Sequence, residues 1–400
     1  MKTKGSILMG MLLCIVWLSG CWNSRDLGDL AIVMGMGIDR IPETKEYRVS
    51  FQIVNPGEVA AGGKGGGGIP VTVYSETGST FFEAIRKTAQ KAPRQLFFGH
   101  MSVIVVGETL ARESIQDLFD FFERSNEVRM TSIVLVARES TAESVISILT
   151  PMEKIPSNSL IGKTRFADKV LSENIEYKLD EVIRSFVSEG GVSTISGVKI
   201  VGNPQEGMKT SNKEQSKVPT YTQIDGMALF REGKPIRWLD GSEARGTVWI
   251  QNKMKSTIVN LDCQEKKEAL AIEIIRSVTK VKAEIRNGKP AFSIRIWDEG
   301  TIGEVKCGID LSKPEELEKL IKELEEETKK EVTAAIKVAQ DEKRDIFGLG
   351  ETLARKYPKT WENLKEEWNE TFSESQVDVF VESYIRRPGA RMRPYLLETK

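Results

Sequence analysis

Histidine is almost missing from this chain: His100 is the only one in 400 residues. Cysteine is scarce too, at Cys14, Cys21, Cys263 and Cys307, and no two stand at Cys-x-x-Cys spacing. A zinc site built from His and Cys at the usual separations is therefore excluded. No apolar run reaches the roughly 20 residues that span a bilayer; the run from Ile7 to Leu18 is about a dozen long. An excess of one charge is also lacking, with 57 Lys and Arg against 58 Asp and Glu. That balance offers no basic field for nucleic acid, so partners must be recognised by local surface.

What is present begins with Lys2 and Lys4, the apolar run, and then Leu18-Ser19-Gly20-Cys21. A basic start, a short apolar segment and small residues before a cleavage point form a secretory signal peptide. A cysteine directly after the small pair makes the segment a lipoprotein box. Cleavage is expected before Cys21, with residues 1–20 removed and the Cys21 thiol carrying a diacylglyceryl group. Two acyl chains hold a protein on a membrane where one is marginal, so the mature chain is expected on the outer face of the cell membrane. Losing Lys2 and Lys4 leaves 55 cations against 58 anions, a formal charge of −3. Of the four cysteines, Cys263 and Cys307 remain free to pair. Export permits a disulfide, but they read as two separate buried thiols.

About 380 mature residues exceed one ordinary core. The expected class is α+β, a multi-domain ectodomain of about three domains with mixed and antiparallel sheets packed by helices. Residues 21–190 alternate strands (Leu30 to Asp39, Tyr47 to Val54, Val71 to Glu76, Ser102 to Val106, Met130 to Ala137) with helices, among them Ile175 to Val187, and should form a mixed α/β domain. The glycine-rich stretch between Asn55 and Pro70 reads as a mobile hairpin tip. Residues 191–252 read as a small middle domain leaning on its neighbours, with an exposed loop over Gly202 to Pro219. Residues 253–400 turn to long alternating strands, with a hairpin at Asn287-Gly288 and a further short strand over Thr301 to Cys307. A long helix opens at Pro314 with Ser312 as N-cap. Its single apolar stripe fits packing within the chain rather than an intermolecular coiled coil. Trp361, Leu364, Trp368 and Phe372 recur on one helical face and belong to the core.

Motifs that approach chemistry fall short of it. The run Ser157 to Thr164 ends in Gly162-Lys163-Thr164 like a phosphate loop, yet Ser157 replaces the first glycine and no strand leads in. Gly35-x-Gly37 lacks its third glycine, since Arg40 stands there and a strand follows. His100 has no nucleophile motif beside it and reads as structural. No catalytic residue, cofactor or metal is expected, and the chain does not read as an enzyme.

Several segments, taken in order, resemble one family. Cys21-Trp22-Asn23-Ser24-Arg25-Asp26-Leu27 with the strand after it, Phe98-Gly99-His100 before Ser102 to Val106, and the closing run from Phe347-Gly348 through Tyr357-Pro358, Trp361, Trp368 and Phe372 to Ile385-Arg386-Arg387-Pro388-Gly389 are similar to Ger(x)C-type spore germination lipoproteins. Asn23 stands where an aspartate is commoner. The resemblance implies a lipoprotein subunit of a nutrient germinant receptor in the spore inner membrane, beside a membrane-spanning A-type subunit and a transporter-like B-type subunit that takes the nutrient. It also implies three domains. The competing expectation is a solute-binding lipoprotein of a transporter, which needs two lobes hinged around a cleft.

Overall fold

The computed structural model describes residues 27–59, 68–125, 127–187 and 194–387. The lipoprotein box with Cys21, the middle of the expected tip (residues 60–67) and the Gly190-Gly191 boundary lie outside the described residues, while Pro56–Val59 at the start of that tip forms a short helix. Two short strands set the architecture of the first half. β5 (Val103–Val106) and β6 (Ile133–Ala137) are wholly apolar and buried on both faces, the composition of parallel strands covered by helices on each side. They run parallel between β1 (Leu30–Arg40) and β7 (Thr194–Val201). Antiparallel strands extend the sheet beyond each: β2 (Tyr47–Val54) and β3 (Val71–Gly78) past β1, β8 (Tyr221–Arg231) and β9 (Lys234–Leu239) past β7. The order is β3-β2-β1-β5-β6-β7-β8-β9, with short β4 (Gln95–Phe97) added in parallel to the start of β1.

Helices cover both faces of this sheet. α1 (Phe81–Lys87), α2 (Glu108–Glu113) and α3 (Gln116–Arg124) pack with Ile104, Val106, Val134 and Val136. On the other face α4 (Ala142–Ser147) and α5 (Pro156–Val170) pack with Val103, Val105, Ile133 and Leu135. α6 (Leu179–Val187) returns to the first face. Its start is later than the periodicity predicts. Residues 175–178 are extended instead, because Val134 N–H bonds to Tyr177 O at 3.1 Å and Lys178 bridges to Ile133.

The segment 191–252 places its three strands at the edge of this same sheet. Its expected exposed loop is pinned: Asn212 is buried and donates to Leu149 O and Thr220 O, both at 2.9 Å. α7 (Gly241–Ile250) then leads into the second sheet, ordered β10 (Thr257–Cys263), β11 (Lys266–Arg286), β12 (Lys289–Val305), β13 (Gln376–Arg387). The Asn287-Gly288 hairpin joins β11 to β12 as expected, with both residues at positive φ. Residues 301–305, expected as a separate strand, continue β12 past an irregularity near Gly300. The last pair, β12 with β13, is parallel. A parallel pair needs a long crossover, supplied here by residues 306–375.

The crossover carries α8 (Pro314–Asp341), α9 (Leu349–Lys356), α10 (Pro358–Leu364) and α11 (Trp368–Ser373). α8 buries Leu320, Leu324, Val332, Ala335 and Ala339 within the chain, as a single apolar stripe should. Its N-cap position is Lys313, with no side-chain cap, because the Ser312 hydroxyl donates instead to Asp310 Oδ1 at 2.6 Å. Trp368 and Phe372 are core residues, as expected from their spacing. Contrary to the reading of two thiols, Cys263 and Cys307 form a disulfide, with Cα atoms 6.1 Å apart. The sheet brings them together across a sequence separation of 44, which spacing alone does not encode.

α7 and α8 cross at close range and join the two halves. A Cβ on Gly246 would lie 2.2 Å from Glu331 O and 2.8 Å from Ala335 Cβ. Beside this crossing Arg245 Nε donates to Glu331 Oε1 and Oε2 at 3.0 and 3.1 Å, and Arg245 NH1 reaches Glu173 Oε1 at 2.6 Å. One hydrophobic cluster therefore runs from Leu239 through Trp249 and Ile250 to Val259, Phe292 and Trp368. A continuous core of that kind leaves no hinge cleft between the halves.

Candidate functional site

The segments singled out in the sequence have structural employment here. Gly35 and Gly37 let helices approach β1: a Cβ at Gly35 would lie 2.2 Å from Ser157 Oγ, and one at Gly37 3.0 Å from the Ala142 backbone. The Asp39 carboxylate at the end of this strand accepts Ala142 N–H at 2.8 Å and Glu143 N–H at 3.0 Å, capping α4. Burial pushes the Asp39 carboxyl up, against those two bonds. The run Ser157 to Thr164 lies within α5 and not in a loop. Ser157 donates to Gln52 Oε1 at 2.8 Å, Thr164 to Leu160 O at 2.8 Å, and Lys163 to Thr222 O at 2.7 Å. With Ser157, Lys163 and Thr164 engaged in this way within the helix packing, the run forms no phosphate loop. His100 is exposed and stands edge-on to Phe97, with ring centroids 5.9 Å apart. Among the described residues no group of three His, Cys, Asp or Glu could hold a metal.

A groove of about 770 Å³ lies between α1 and α3, with Met36 of β1 in its lining. Its walls are aromatic. Phe81 meets Phe121 at 4.5 Å and Phe122 at 5.8 Å, and Phe82 meets Phe121 at 6.2 Å. Met36, Tyr47, Leu96 and Phe98 complete the apolar lining. Local sequence makes this arrangement: Thr80 caps α1 by accepting Glu83 N–H at 3.1 Å. Two adjacent phenylalanines then follow, so one falls on the core side and the other on the open side. Phe81 is buried, while Phe82 is 53 % exposed, with the Arg86 guanidinium 5.0 Å above its ring.

Charges of both signs rim the groove: Arg86, Arg94 and Arg124 against Asp117, Asp120 and Glu127. Arg124 and Asp120 pair at 2.8 Å on α3. On the Tyr47 side the Arg40 guanidinium lies 4.4 Å over the ring, and burial raises the phenol. No nucleophile is held against a base in this lining. The groove can take up an apolar or aromatic group and meet mixed charges at its edge. β4, which carries Gln95 and Leu96 of the lining, is paired with Leu30–Ile32 at the first described strand. Sequence reasoning missed the site because its aromatics come from α1, α3, β2 and the turn after β4, and only the paired Phe81-Phe82 and Phe121-Phe122 hinted at it.

Comparison with known proteins gives a consistent result along the chain. The family described as "Spore germination protein N-terminal domain" matches residues 23–200, and "Spore germination B3/ GerAC like, C-terminal" matches residues 225–389. Spore germination protein KC of Bacillus subtilis is 35% identical over 400 residues, covering 98% of each chain. Spore germination protein B3 of the same organism is 27% identical, covering 94% of this chain and 95% of that one. Among solved structures, the crystal structure of the GerBC protein aligns with a TM-score of 0.54 at 21% identity, over 88% of this chain and 97% of that one. That likeness supports the mixed α+β fold described above.

Proposed function

The chain belongs to the GerAC-like spore germination family, and on that premise we propose that it is a lipid-anchored, non-catalytic subunit of a nutrient germinant receptor, acting in receptor assembly or signal relay. The observation that carries the reading is the full-length similarity, in which both family patterns fall in order along one chain. Three physical points support it. The described residues hold no nucleophile–base pair in the groove and no metal-binding cluster. No helix among them is long and apolar enough to cross a membrane, so attachment falls to Cys21 and its lipid. From Cys21 to Leu27 the chain reaches at most about 20 Å even when extended. The start of β1, with β4 and the groove beside it, is thereby kept close to the bilayer.

On this reading the partners are the A-type and B-type receptor subunits in the spore inner membrane, with the nutrient taken by a partner subunit. The aromatic groove is the surface offered to them. The test uses spores in which the receptor paralogues have been removed and this chain is the remaining C-type subunit. Deleting it should abolish germination across a nutrient panel, and normal germination would reject the assignment. One observation favours a second reading, solute binding: a volume of about 770 Å³ suits a small ligand. Calorimetry of the mature chain against amino acids and sugars separates the two, since micromolar binding by this chain alone supports the second.

A further inference from the structure

Water and hydrogen-bond partners are usually found for every buried polar atom. In the second sheet five such atoms without a hydrogen bond belong to four residues that the fold sets side by side: both carboxylate oxygens of Asp298, and the hydroxyls of Ser277, Thr328 and Ser383. The register places them. Asp298 on β12 is directly opposite Ser277 on β11 and Ser383 on β13, and neighbouring strands are under 5 Å apart. Asp298 points with Phe292, Ile294 and Ile296 to the face covered by helices, and it is 0% exposed. α8 lies over this row. Glu325 accepts Ser383 N–H at 3.0 Å, and Thr328 follows one turn later on the same side of the helix.

We infer that Asp298 is held in the folded chain as the neutral acid and acts as a proton-operated latch between α8 and the second sheet. A bound proton keeps α8 seated; its loss loosens the contact. The groups that face the carboxyl explain why. β11 contributes Ser277, β13 contributes Ser383 and α8 contributes Thr328 and Glu325, so among the described residues the charge facing it is another carboxylate. The cations nearby serve the opposite face of the sheet, where Arg386 and Arg276 pair with Glu299 at 2.7 and 3.8 Å. Lys322 and Lys329 of α8 are exposed. Ser383 Oγ lies close enough to favour the ionised form somewhat, without the geometry of a hydrogen bond. Desolvation dominates and raises the Asp298 carboxyl to about 7, with the Glu325 charge adding to the rise.

The sign follows from where each state binds its proton. With α8 lifted and Asp298 in water, the proton leaves near the ordinary value of about 4. With α8 seated, it leaves near about 7. Between these values the seated state holds the extra proton, so each unit rise in pH favours opening about tenfold. Above about 7 both states are ionised and the dependence ends. The latch is therefore tight in acid and weakest from neutral pH upward.

Hydrogen exchange of the full chain, read by mass spectrometry from about pH 5 to about pH 8.5 and corrected for the chemical exchange rate, tests the latch. Peptides from α8 and β13 should lose protection about tenfold per pH unit up to neutrality and then level off. Peptides from β5 and β6 should follow the chemical rate alone. Asp298→Asn should remove the extra dependence from α8 and β13. The inference is overturned if those peptides follow the chemical rate in the wild type, or if Asp298→Asn keeps the slope. Should that variant fail to fold, Glu325→Gln carries the test: removing the neighbouring charge moves the levelling point to lower pH, and a point unmoved or raised refutes the latch.

Discussion

Replacing Gly246 by alanine separates two arguments that differ in sign. Gly246 lies within α7, where alanine is favoured over glycine by about 1 kcal/mol from propensity alone. Helix chemistry in isolation thus predicts stabilisation. The crossing predicts the reverse, since the new Cβ would lie 2.2 Å from Glu331 O and 2.8 Å from Ala335 Cβ. A carbon needs about 3.3 Å from a carbonyl oxygen, so α7 and α8 must part by about 1 Å. Overpacking of this kind costs about 1–3 kcal/mol. The adjacent Arg245–Glu331 bonds at 3.0 and 3.1 Å, with Glu331 only 3% exposed, are stretched by the same displacement. Losing a buried pair costs about 3–5 kcal/mol in full, and partial loss puts the net effect of Gly246→Ala at about 2–4 kcal/mol of destabilisation. Urea unfolding followed by tryptophan fluorescence reports on this crossing through Trp249, which is fully buried and faces Glu331 with its Nε1 3.4 Å from Oε2. Adding Ala335→Gly should recover only a part, because the closer contact is to backbone. A midpoint at or above wild type for Gly246→Ala would refute the reasoning.

Further outcomes follow from the other features. Cys21→Ala should abolish lipid incorporation and processing, and unchanged fatty-acid labelling of the variant would contradict the lipoprotein reading. Phe82→Asp alters a half-exposed side chain, so stability should shift by less than about 1 kcal/mol. Crosslinking to the partner subunits and nutrient-triggered germination should both fall, and full retention of both would remove the groove from the proposed contact surface. Asp345 accepts N–H bonds from Phe347 and Gly348 at 3.0 Å, Gly350 at 2.7 Å and the Trp368 indole at 3.1 Å. Asp345→Ala strands these four donors, three of them buried, and should cost at least about 3 kcal/mol in chemical denaturation; a loss under about 1 kcal/mol would show that the donors find other partners. Reducing the Cys263–Cys307 bond frees a loop spanning a separation of 44. Chain entropy puts the loss at about 4 kcal/mol, and an unfolding midpoint insensitive to dithiothreitol would exclude that contribution.

Much of the local structure could be read from residue order alone. Wholly apolar β5 and β6, alternating β10 and β11, the Asn287-Gly288 turn and the apolar stripe of α8 each follow from periods and turn chemistry that neighbouring residues carry themselves. The same holds for the family, whose marks are strung along the chain. Cys21 also belongs to the sequence reading, and lies outside the described residues.

Other features depend on pairings between distant segments, which no local period records. Residues 175–178 gave up a helical pattern because Ile133 and Val134 offered a strand partner. Gly35 and Gly37 resembled the start of a dinucleotide site, and only the docking of α4 and α5 on β1 explains them as room for backbone approach. Cys263 and Cys307 were two thiols in sequence and became one bond when the second sheet brought their Cα atoms to 6.1 Å. The groove needed α1, α3 and β4 to converge. Asp298 is an ordinary strand acid until β11, β13 and α8 close around it and exclude water. Composition and periodicity therefore determined most of the elements and the class, and the order of resembling segments the family; the tertiary structure decided which polar groups lost their water, because desolvation depends on what packs across from a residue and not on what precedes it.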